Sequence, residues 1–409
     1  MIKAWTDNAE AGLLDRSGQR GSTFLYLPET NAARAVSVTM PMRLASWDAS
    51  FGVAPIFEMN LPEGALRERL RLAFAKAIGT FDDFDLLGIV GRSQVGRIRY
   101  TGRQELLQED VPFQSVDEIL ARKRDGDLFH YLIDKFASFS GISGVQPKFL
   151  VRDENAFTQT GLDGARLSES YRGATHIVKF WEAGEYPQLA ANEYFCLRAA
   201  EECGLEVPPY RLAEDGAALV IDRFDLRIDG TYRGFEDFCV LNAKGTDKKY
   251  SGSYETSILK RFQQFANSPQ VNTDLEKLFA LIVLNCALRN GDAHLKNFGI
   301  VYDDVLGEAR LAPVYDLVTT AVYLPKDGMA LTLNGSTRWP AGKELQRLGE
   351  TRVGGSPAQI REVLARVADA ISSISAEVRA YIREHPGFAD IGERMLQEWQ
   401  KGVSHSRAC

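Results

Sequence analysis

The sequence contains few cysteines, few histidines and no long apolar run. Its five cysteines include no CxxC pair, so a disulfide framework is not indicated. The five histidines are scattered, without the ligand spacing of a structural zinc site. The longest apolar run, from Leu278 to Leu288, is interrupted by Asn285 and is too short to cross a bilayer. The sequence therefore favours neither a disulfide-rich, a zinc-stabilised nor a membrane-spanning protein.

An excess of positive charge is also lacking. The formal net charge is -7, whereas proteins that bind nucleic acid by themselves neutralise phosphates with Lys and Arg. We therefore expect contact with DNA only through a partner. The N-terminal segment MIKAWTDNAE has no apolar signal-peptide core, which predicts a cytoplasmic protein without membrane contact. With 409 residues, the chain is long enough for two or three packed units.

The pattern of apolar residues changes along the chain. Residues 1–104 combine short apolar segments with a helix that starts at Pro62, which predicts a small α+β module. Residues 105–234 contain the strand-like runs KFLV, HIVKF and ALVIDRF, with a helix from about Gln188 to Cys203. Residues 235–409 are mostly helical in pattern. These ranges predict three units of an α+β protein.

Two helices of the C-terminal part are marked by capping residues. The segment TDLEKLFALIVLNCALRN has Thr273 or Asp274 as a possible N-cap and is apolar nearly all round, which predicts a buried helix. Ser356 and Pro357 are suited to start a second helix. The apolar residues of that helix form one stripe, which predicts a core-facing side: Ile360, Leu364, Val367, Ile371, Ile374 and Val378.

The stretch RNGDAHLKNFGIVYDD directly follows the predicted buried helix. Asp292 and Asn297 lie five residues apart, the D-x-x-x-x-N spacing of a kinase catalytic loop. In such a loop the aspartate orients a hydroxyl and can accept its proton, while the asparagine oxygen binds Mg2+. Asp316 follows a strand-like run nineteen residues after Asn297 and can supply a second magnesium ligand. The spacing alone also occurs by chance, but this context favours phosphoryl transfer.

Two further residues of this loop have alternative roles. Lys296 can neutralise a transferring phosphoryl group, or it can be a solvated surface lysine. His294 can hold the loop in shape or transfer a proton, and we favour the structural role.

A kinase also needs a cation on the phosphates that are not transferred. Lys179 lies within the apolar strand HIVKF, where a buried lysine requires a partner. Glu193, on the following helix, is suitably placed to pair with it, as in kinases. The alternative is a lysine at an exposed sheet position and a glutamate on a solvated helix face. The strand ALVIDRF can then bring backbone groups of Asp222 and Phe224 to an adenine ring.

Six segments together resemble the HipA family of toxin kinases. They are SGISGVQPKFLV, HIVKF, NEYFCLRAAEECGLEVPP, VIDRFD, NGDAHLKNFGI and LAPVYDL, in the order and spacing of the family. Earlier in the chain, FEMNLPEG and FDLLGIVGRSQVGRI resemble the N-terminal subdomain of this family, so the resemblance covers nearly the whole chain. It implies an α+β, protein-kinase-like bilobal fold, with an extra N-terminal subdomain, a β-rich N-lobe and an all-helical C-lobe.

The resemblance also implies roles for individual residues. Asp292 would be the catalytic aspartate, Asn297 and Asp316 the magnesium ligands, and Lys179 the phosphate-binding lysine. Further contacts with ATP are expected from a phosphate-covering loop, an adenine segment and the catalytic loop: Ser143, Gly144, Val145, Gln146, Pro147, Lys148, Asp222, Arg223, Phe224, His294, Lys296 and Tyr315.

The family resemblance extends to partners and substrate. Family members phosphorylate a protein serine, in known cases on an aminoacyl-tRNA synthetase, and so stall translation. This implies a protein serine/threonine kinase that uses ATP and Mg2+ and is the toxin of a toxin-antitoxin pair. It also implies a small helix-turn-helix antitoxin as partner, through which contact with DNA would be indirect.

The chain departs from the family at one regulatory position. Family members are inhibited by autophosphorylation of a serine three residues before the glycine that corresponds to Gly144, and here that position is Gly141. Some relatives carry a second serine two residues later, and this one is present as Ser143. We expect Ser143 to be the autophosphorylation site, where a phosphate would expel the loop electrostatically. The alternative is an ordinary turn hydroxyl.

Two other functions remain open at this point. A D-x-x-x-x-N loop with a later aspartate also serves small-molecule phosphotransferases, since the motif does not identify the acceptor. A degenerate kinase could instead act as an antitoxin-binding co-repressor. The presence of Lys179, Asp292, Asn297 and Asp316 argues against a pure scaffold, which has no need for all of them.

Overall fold

The computed structural model describes residues 1–74, 81–121, 126–153, 171–181 and 186–407. In this part of the chain, no helix is both long enough and apolar enough to span a membrane. The predicted boundaries after residues 104 and 234 stay predictions. By their contacts the residues divide into two units, here called unit 1 (Met1–Phe180, Val220–Thr246 and Val301–Ala309) and unit 2 (Trp181–Leu219, Asp247–Ile300 and Arg310–Cys409).

The strands are short, from three to nine residues. In chain order they are β1 (Ile2–Thr6), β2 (Ala9–Ser17), β3 (Gly21–Tyr26), β4 (Trp47–Ala49), β5 (Ile98–Gly102), β6 (Lys148–Val151), β7 (His176–Phe180), β8 (Tyr210–Leu212), β9 (Ala218–Asp222), β10 (Gly234–Asp237), β11 (Gly299–Tyr302) and β12 (Ala309–Leu311).

The helices range from single turns to one of 28 residues. In chain order they are α1 (Pro55–Glu58), α2 (Gly64–Phe74), α3 (Asp83–Val90), α4 (Val116–Ala121), α5 (Gly126–Phe136), α6 (Leu189–Glu202), α7 (Phe238–Leu241), α8 (Lys260–Phe265), α9 (Val271–Ala287), α10 (Gly342–Leu348), α11 (Pro357–Glu384) and α12 (Ala389–Arg407).

Unit 1 begins with a five-stranded antiparallel sheet. The strand order is β4-β3-β2-β1-β5, so that β1 is paired on both sides. One face of the sheet packs on helix α1 through aromatic rings: Phe57 lies 5.1 Å from Phe24 and 5.9 Å from Tyr100, measured between ring centroids. These three rings are at most 1 % exposed. Their burial contributes a large part of the stability of this module, at roughly 1.5–3 kcal/mol for each large apolar side chain.

A second strand pair of unit 1 confirms two sequence predictions. The run KFLV forms β6 and the run HIVKF forms β7, and the two strands pair antiparallel. The predicted helix after β7 is also present, because α6 lies within one residue of the range expected for it. The strand ALVIDRF is present as β9, which ends at Asp222.

Unit 2 is built on helices. Helix α9 is buried over nearly its whole length, as its all-round apolar sequence predicts. Helix α11 packs against α6, α9 and α12. It begins with the predicted cap, because Ser356 Oγ accepts from the Gln359 N–H at 3.4 Å. The predicted stripe is buried, with Ile360, Ile374 and Val378 at most 1 % exposed.

Three details of the sequence-based assignment are wrong. Helix α2 begins at Gly64, so Pro62 precedes it. Helix α9 begins at Val271 without a side-chain cap, so neither Thr273 nor Asp274 is its N-cap. The run before Asp316 is a strand only as far as Leu311, where β12 ends, and Asp316 does not directly follow a strand. For α2 the reason is local, because Gly64 has φ +54° and so interrupts a right-handed helix that would start at Pro62.

Candidate active site

A relay of asparagine side chains holds the predicted catalytic loop on helix α9. Asn285, in the last turn of α9, donates to the Leu281 carbonyl at 2.8 Å and accepts from Asn290 Nδ2 at 2.7 Å. Asn290 Oδ1 accepts from the Asp292 backbone N–H at 3.1 Å. Both asparagines are buried, which strengthens hydrogen bonds by excluding water. The helix therefore fixes the backbone position of Asp292.

The Asp292 side chain has the properties of a proton acceptor. It is 52 % exposed, and its Oδ1 accepts a hydrogen bond from Tyr250 Oη at 2.6 Å. Desolvation is the main reason why the pKa of Asp292 is raised to about 6. The hydrogen bond from Tyr250 lowers this pKa, and the negative charge of Asp316 raises it. A carboxylate whose pKa lies near neutral pH is well suited to general-base chemistry.

His294 and Lys296 are buried within the same loop. His294 is 6 % exposed, its Nε2 lies 4.0 Å from Asp292 Oδ1, and its ring packs edge-on against Tyr250. These contacts support the structural role that we favour for it. Lys296 is 7 % exposed, so the alternative of a solvated surface lysine is wrong. Tyr315 Oη donates to the Lys296 carbonyl at 2.9 Å, and the nucleotide contacts of these residues stay predictions.

The predicted magnesium ligands lie side by side in unit 2. Asn297 Nδ2 donates to Asp316 Oδ2 at 3.1 Å, and Asn297 Oδ1 accepts from the His294 N–H at 3.1 Å. Asp316 has φ +57°, a left-handed conformation that aspartate tolerates better than most residues. An amide oxygen and a carboxylate are hard ligands that suit Mg2+ when phosphate and water oxygens complete its shell. The donor set therefore fits the ion, and ligation by these residues stays a prediction.

A buried amide on α6 holds the segment that follows the second magnesium-ligand candidate. Asn192 accepts from the Thr319 N–H at 2.9 Å and donates to the Thr319 carbonyl at 3.1 Å. The Thr319 hydroxyl accepts from Trp399 Nε1, on α12, at 2.7 Å. The hydroxyl of the next residue, Thr320, accepts from the Gly291 N–H at 2.6 Å. This segment therefore links α6 and α12 to the catalytic loop.

In unit 1, the predicted phosphate loop leads into strand β6. Gly144 has φ +119°, which side chains rarely permit, and its N–H donates to Glu63 Oε1 at 3.1 Å. Gln146 Nε2 donates to the Phe180 carbonyl at 2.9 Å. Val145, between these two contacts, is 62 % exposed. The loop is therefore fastened on both sides of an exposed tip.

Two buried lysines of unit 1 lie opposite each other. Lys148 on β6 and Lys179 on β7 are directly paired in the antiparallel register and are 5 % and 3 % exposed. The alternative of an exposed sheet position for Lys179 is therefore wrong. Paired residues point to the same face of a sheet, where like charges destabilise the strand pair. Two adjacent cations of this kind are suited to bind a polyanion such as the phosphates of a nucleotide.

Gly141, at the position of the regulatory serine of the family, packs against another backbone segment. Its N–H donates to the Ser93 carbonyl at 2.9 Å, and its carbonyl accepts from the Val95 N–H at 3.3 Å. A Cβ atom on Gly141 would lie 2.4 Å from Gln94 Cγ and 2.6 Å from the Ser93 carbonyl oxygen. A serine therefore does not fit this backbone position. Ser143, two residues later, is partly exposed.

The predicted adenine segment lies at the end of β9. His176 Nε2 lies 3.2 Å from Asp222 Oδ1. The Arg223 side chain is buried and pairs with both carboxylate oxygens of Asp225, at 3.0 and 2.5 Å. Only the backbone of Arg223 is then left for a ligand. The adenine contacts of Asp222, Arg223 and Phe224 stay predictions.

Glu193 lies near the middle of α6 and is 0 % exposed. The alternative of a solvated helix face is therefore wrong. A buried carboxylate is costly unless a cation or several donors compensate it. The predicted ion pair with Lys179 stays a prediction.

Sequence reasoning missed the residues that position the site. Tyr250 lies 42 residues before Asp292, and no motif marks it. Asn192 lies 127 residues before Thr319, and its position beside Glu193 is the only sequence signal that could have suggested a role. Contacts between residues so far apart depend on the tertiary fold, which local patterns do not specify.

Two family models match most of the chain. Residues 2–101 match the HipA N-terminal domain, and residues 140–374 match the HipA-like C-terminal domain. The chain belongs to the HipA family. Its membership confirms the resemblance inferred from the six sequence segments.

Two relatives of the chain match most of its length. Two proteins of Sinorhizobium fredii, Y4mE and Y4dM, bear names that describe them provisionally as kinases. Y4mE is 28 % identical over 352 residues, which are 79 % of this chain and 78 % of that protein. Y4dM is 27 % identical over 306 residues, 71 % of this chain and 68 % of that protein.

A solved HipA structure shows the same fold. HipA of Shewanella oneidensis MR-1, determined in a complex with HipB and its operator DNA, has a TM-score of 0.67 with this chain at 18 % identity. The match covers 99 % of this chain and 98 % of that one. The protein therefore has the mixed α+β fold of HipA.

Proposed function

We propose that the chain is an ATP-dependent protein serine/threonine kinase with Asp292 as its catalytic base. The observation that carries the proposal is the grouping of Asp292, Asn297 and Asp316 in unit 2, where the magnesium-ligand candidates are in contact and the aspartate is exposed. The facing lysines Lys148 and Lys179 in unit 1 support a triphosphate as the second substrate.

Each residue of the site has a defined part in this reaction. Asp292 accepts the proton of an acceptor hydroxyl while the hydroxyl oxygen attacks the γ-phosphorus of ATP. Asn297 and Asp316 would hold Mg2+, which would supply positive charge to the phosphates when bound. Lys148 and Lys179 neutralise phosphate oxygens on the nucleotide. ADP then leaves with the bridging oxygen.

The kinase-like division of the fold is part of the same proposal. We assign the strands β6 and β7, with the loop from Ser143 to Lys148, to a β-rich N-lobe. Residues 235–409 correspond to the C-lobe, and residues 2–101 to an extra N-terminal subdomain. The expectation of an all-helical C-lobe is wrong in detail, because the strands β11 and β12 also lie in this range and β10 ends within it. The segment from Asp222 to Phe224 would then contact adenine through its backbone.

We also propose that the kinase is the toxin of a toxin-antitoxin pair. The Shewanella oneidensis protein of the same family was determined with HipB and its operator DNA, which supports a small DNA-binding antitoxin as the partner here. The net charge of -7 is consistent with a chain that reaches DNA through such a partner. A component of translation, such as an aminoacyl-tRNA synthetase, is the substrate class that the family resemblance suggests.

Autophosphorylation of Ser143 is a further part of the proposal. Ser143 is partly exposed beside Gly144, whereas Gly141 lacks both a hydroxyl and room for one. Mass spectrometry after incubation with ATP and Mg2+ should find phosphate on Ser143 in the wild type and none in Asp292→Asn. An unmodified Ser143 in a wild type that labels other proteins would contradict this assignment.

The kinase proposal is tested by labelling a bacterial lysate with radioactive ATP. The wild-type chain should label one or a few protein bands, and Asp292→Asn should reduce the labelling by about 100-fold or more. Identification of the labelled band then gives the substrate. Label confined to small molecules would instead favour a small-molecule phosphotransferase. Growth inhibition that persists in Asp292→Asn, with partner binding unchanged, would favour a co-repressor without kinase activity.

A further inference from the structure

A short segment of unit 2 lies across the predicted catalytic loop and is fastened to it at three points. We call residues 249–254 the strap. At its start, the Leu295 N–H donates to the Lys249 carbonyl at 3.1 Å. At its end, Tyr254 Oη donates to the Ala293 carbonyl at 3.0 Å. The third point is Tyr250, whose hydroxyl donates to Asp292. The strap therefore holds one hydroxyl at the catalytic carboxylate.

The Tyr250 hydroxyl has the geometry of a phosphate acceptor. Its oxygen lies 2.6 Å from Asp292 Oδ1, within the distance at which a general base takes the proton of its substrate. The Tyr250 ring packs edge-on against His294, with centroids 4.9 Å apart, which restricts its motion. The residue is nevertheless 52 % exposed, so the hydroxyl is held at the catalytic residue without being buried in the core.

We propose that Tyr250 is a modification site, at which the chain phosphorylates itself. The inference rests on the proposed kinase function and extends it, within the same chain, from serine and threonine to a tyrosine hydroxyl that the fold holds at the base. The Tyr250 oxygen forms a bond to the γ-phosphorus of ATP, the bond from that phosphorus to the bridging oxygen breaks, and ADP leaves. The hydroxyl proton passes to Asp292, which already accepts its hydrogen bond. No reactant beyond ATP and its magnesium ion is needed.

The modified residue no longer fits the place that it occupies. Phosphotyrosine has no hydroxyl proton to donate to Asp292, and its phosphate carries between one and two negative charges near neutral pH. The carboxylates of Asp316 and Asp327 repel the charge of Asp292 at this position, whereas Lys249 attracts it. Repulsion should therefore displace the tyrosine from Asp292 after transfer. The reaction can occur once for each chain and marks it as having been active.

The test is site-resolved phosphopeptide mapping of the full-length chain after incubation with ATP and Mg2+. The wild type should acquire phosphate on Tyr250, with a first-order rate that does not change over a 100-fold range of protein concentration, because the hydroxyl lies at the catalytic residue of its own chain. Asp292→Asn should lower this rate by about 100-fold or more. Ser251→Ala, an exposed neighbour on the strap, is the matched control and should leave the Tyr250 phosphopeptide unchanged.

Several outcomes would overturn the inference. Phosphate on Ser251 or Ser143, with Tyr250 unmodified, would do so while leaving the kinase proposal intact. If the first-order rate constant of Tyr250 phosphorylation rises in proportion to protein concentration, the phosphate is transferred between chains. That result would contradict transfer to the hydroxyl held at Asp292 of the same chain. Absence of all phosphate transfer, to lysate proteins as well as to Tyr250, would remove the proposed function together with this inference.

Discussion

Asp292 must be ionised to accept a proton, so its raised pKa sets an acid limit on activity. Its pKa of about 6 lies above the ordinary value for aspartate, mainly because of desolvation. Protonation therefore removes the base as the pH falls through about 6. We expect kcat/KM for ATP to fall about tenfold for each pH unit below that value. A pH–rate profile between about pH 5 and pH 8 measures this limit.

The variant Tyr250→Phe serves as the control for this profile. The hydroxyl of Tyr250 lowers the pKa of Asp292, so its removal should move the acid limb to higher pH. Ser251→Ala should leave the limb in place. If the pH–rate profile of Tyr250→Phe has the same acid limb as that of the wild type, the group that titrates is not Asp292.

Lys148 is expected to act on the phosphates of ATP and not on its base. Lys148→Met should weaken ATP binding by about tenfold or more, because a charge-assisted hydrogen bond contributes about 1.5–3 kcal/mol. Adenosine carries no phosphate, so its affinity should not change. Isothermal titration calorimetry with both ligands measures the difference.

The exposed Lys260 on α8 provides a matched charge control for that variant. Lys260→Met removes one positive charge from the surface and should leave both affinities unchanged. An equal loss of ATP and adenosine binding in Lys148→Met would indicate damage to the fold. Unchanged ATP affinity in a folded Lys148→Met protein would show that Lys148 does not contact the phosphates.

Single residues of the site were predictable when a motif surrounded them. Asp292 and Asn297 follow a known spacing, and Lys179 stands out as a charge within an apolar strand. That Lys148 faces Lys179 could not be read from the sequence, because it depends on the register of β6 and β7. Tyr250 was not predictable, since an exposed tyrosine in a polar segment has no local signature.

The contact between α6 and the segment after Asp316 should control magnesium binding. Asn192→Leu leaves the buried N–H and carbonyl of Thr319 without their side-chain partner, which costs about 2–6 kcal/mol in the free energy of unfolding. Asp316 lies three residues before Thr319, so its position should also change. We expect a higher Mg2+ concentration for half-maximal ATP binding, measured together with urea unfolding.

Tyr323→Phe is the milder comparison for this contact. The Tyr323 hydroxyl accepts from Asn192 at 3.3 Å and donates to the Pro187 carbonyl at 2.9 Å, so its loss should cost about 1–3 kcal/mol. Asn192 keeps both bonds to Thr319 in this variant, so the magnesium requirement should stay nearly unchanged. A folded Asn192→Leu protein with the wild-type magnesium requirement would show that Asp316 is positioned by other contacts.

The close packing of Gly141 predicts a large effect from a single methyl group. Gly141→Ala places an atom within 2.6 Å of the Ser93 carbonyl, so the chain must move, at a cost of about 1–3 kcal/mol. We also expect weaker ATP binding, since the phosphate loop begins two residues later. Thermal unfolding with and without ATP measures both effects.

Gly88 offers the opposite case in the same unit. It lies in helix α3, and the nearest atom to a Cβ there is 3.9 Å away. Gly88→Ala should therefore raise stability by up to about 1 kcal/mol through helix propensity. Equal effects of the two substitutions would rule out a special role for the packing of Gly141.

Elements with a strong periodic pattern were predicted well. The stripe of α11 was recognisable by its helical period, and the strands β6 and β7 by their short apolar runs, whose residues are all buried. The irregular run before Asp316 resembles a strand in composition, but its backbone is held by long-range hydrogen bonds: the Ala312 N–H donates to the Gly299 carbonyl and the Val314 N–H to the Glu206 carbonyl. Such contacts lie outside any local window of sequence.

For the chain as a whole, the net charge predicts whether it binds DNA without a partner. With a net charge of -7, the protein alone should not bind an operator duplex measurably at about 0.15 M salt. Addition of a helix-turn-helix partner should produce binding, observed by fluorescence anisotropy of a labelled duplex. Binding by the chain alone, with a steep dependence on salt, would contradict the proposal that the chain reaches DNA through its partner.

The bond between Thr319 and Trp399 has a consequence for the order of protein synthesis. The two residues are 80 positions apart, and Val322 similarly accepts from Arg394 at 2.8 Å. At about 5–20 residues per second, the ribosome adds Trp399 roughly 4–16 s after Thr319. During that interval Asn192 and Gly291 contact the segment, and its bonds to α12 are still missing. Translation itself therefore delays the completion of the active centre, so a growing chain remains immature until α12 has emerged.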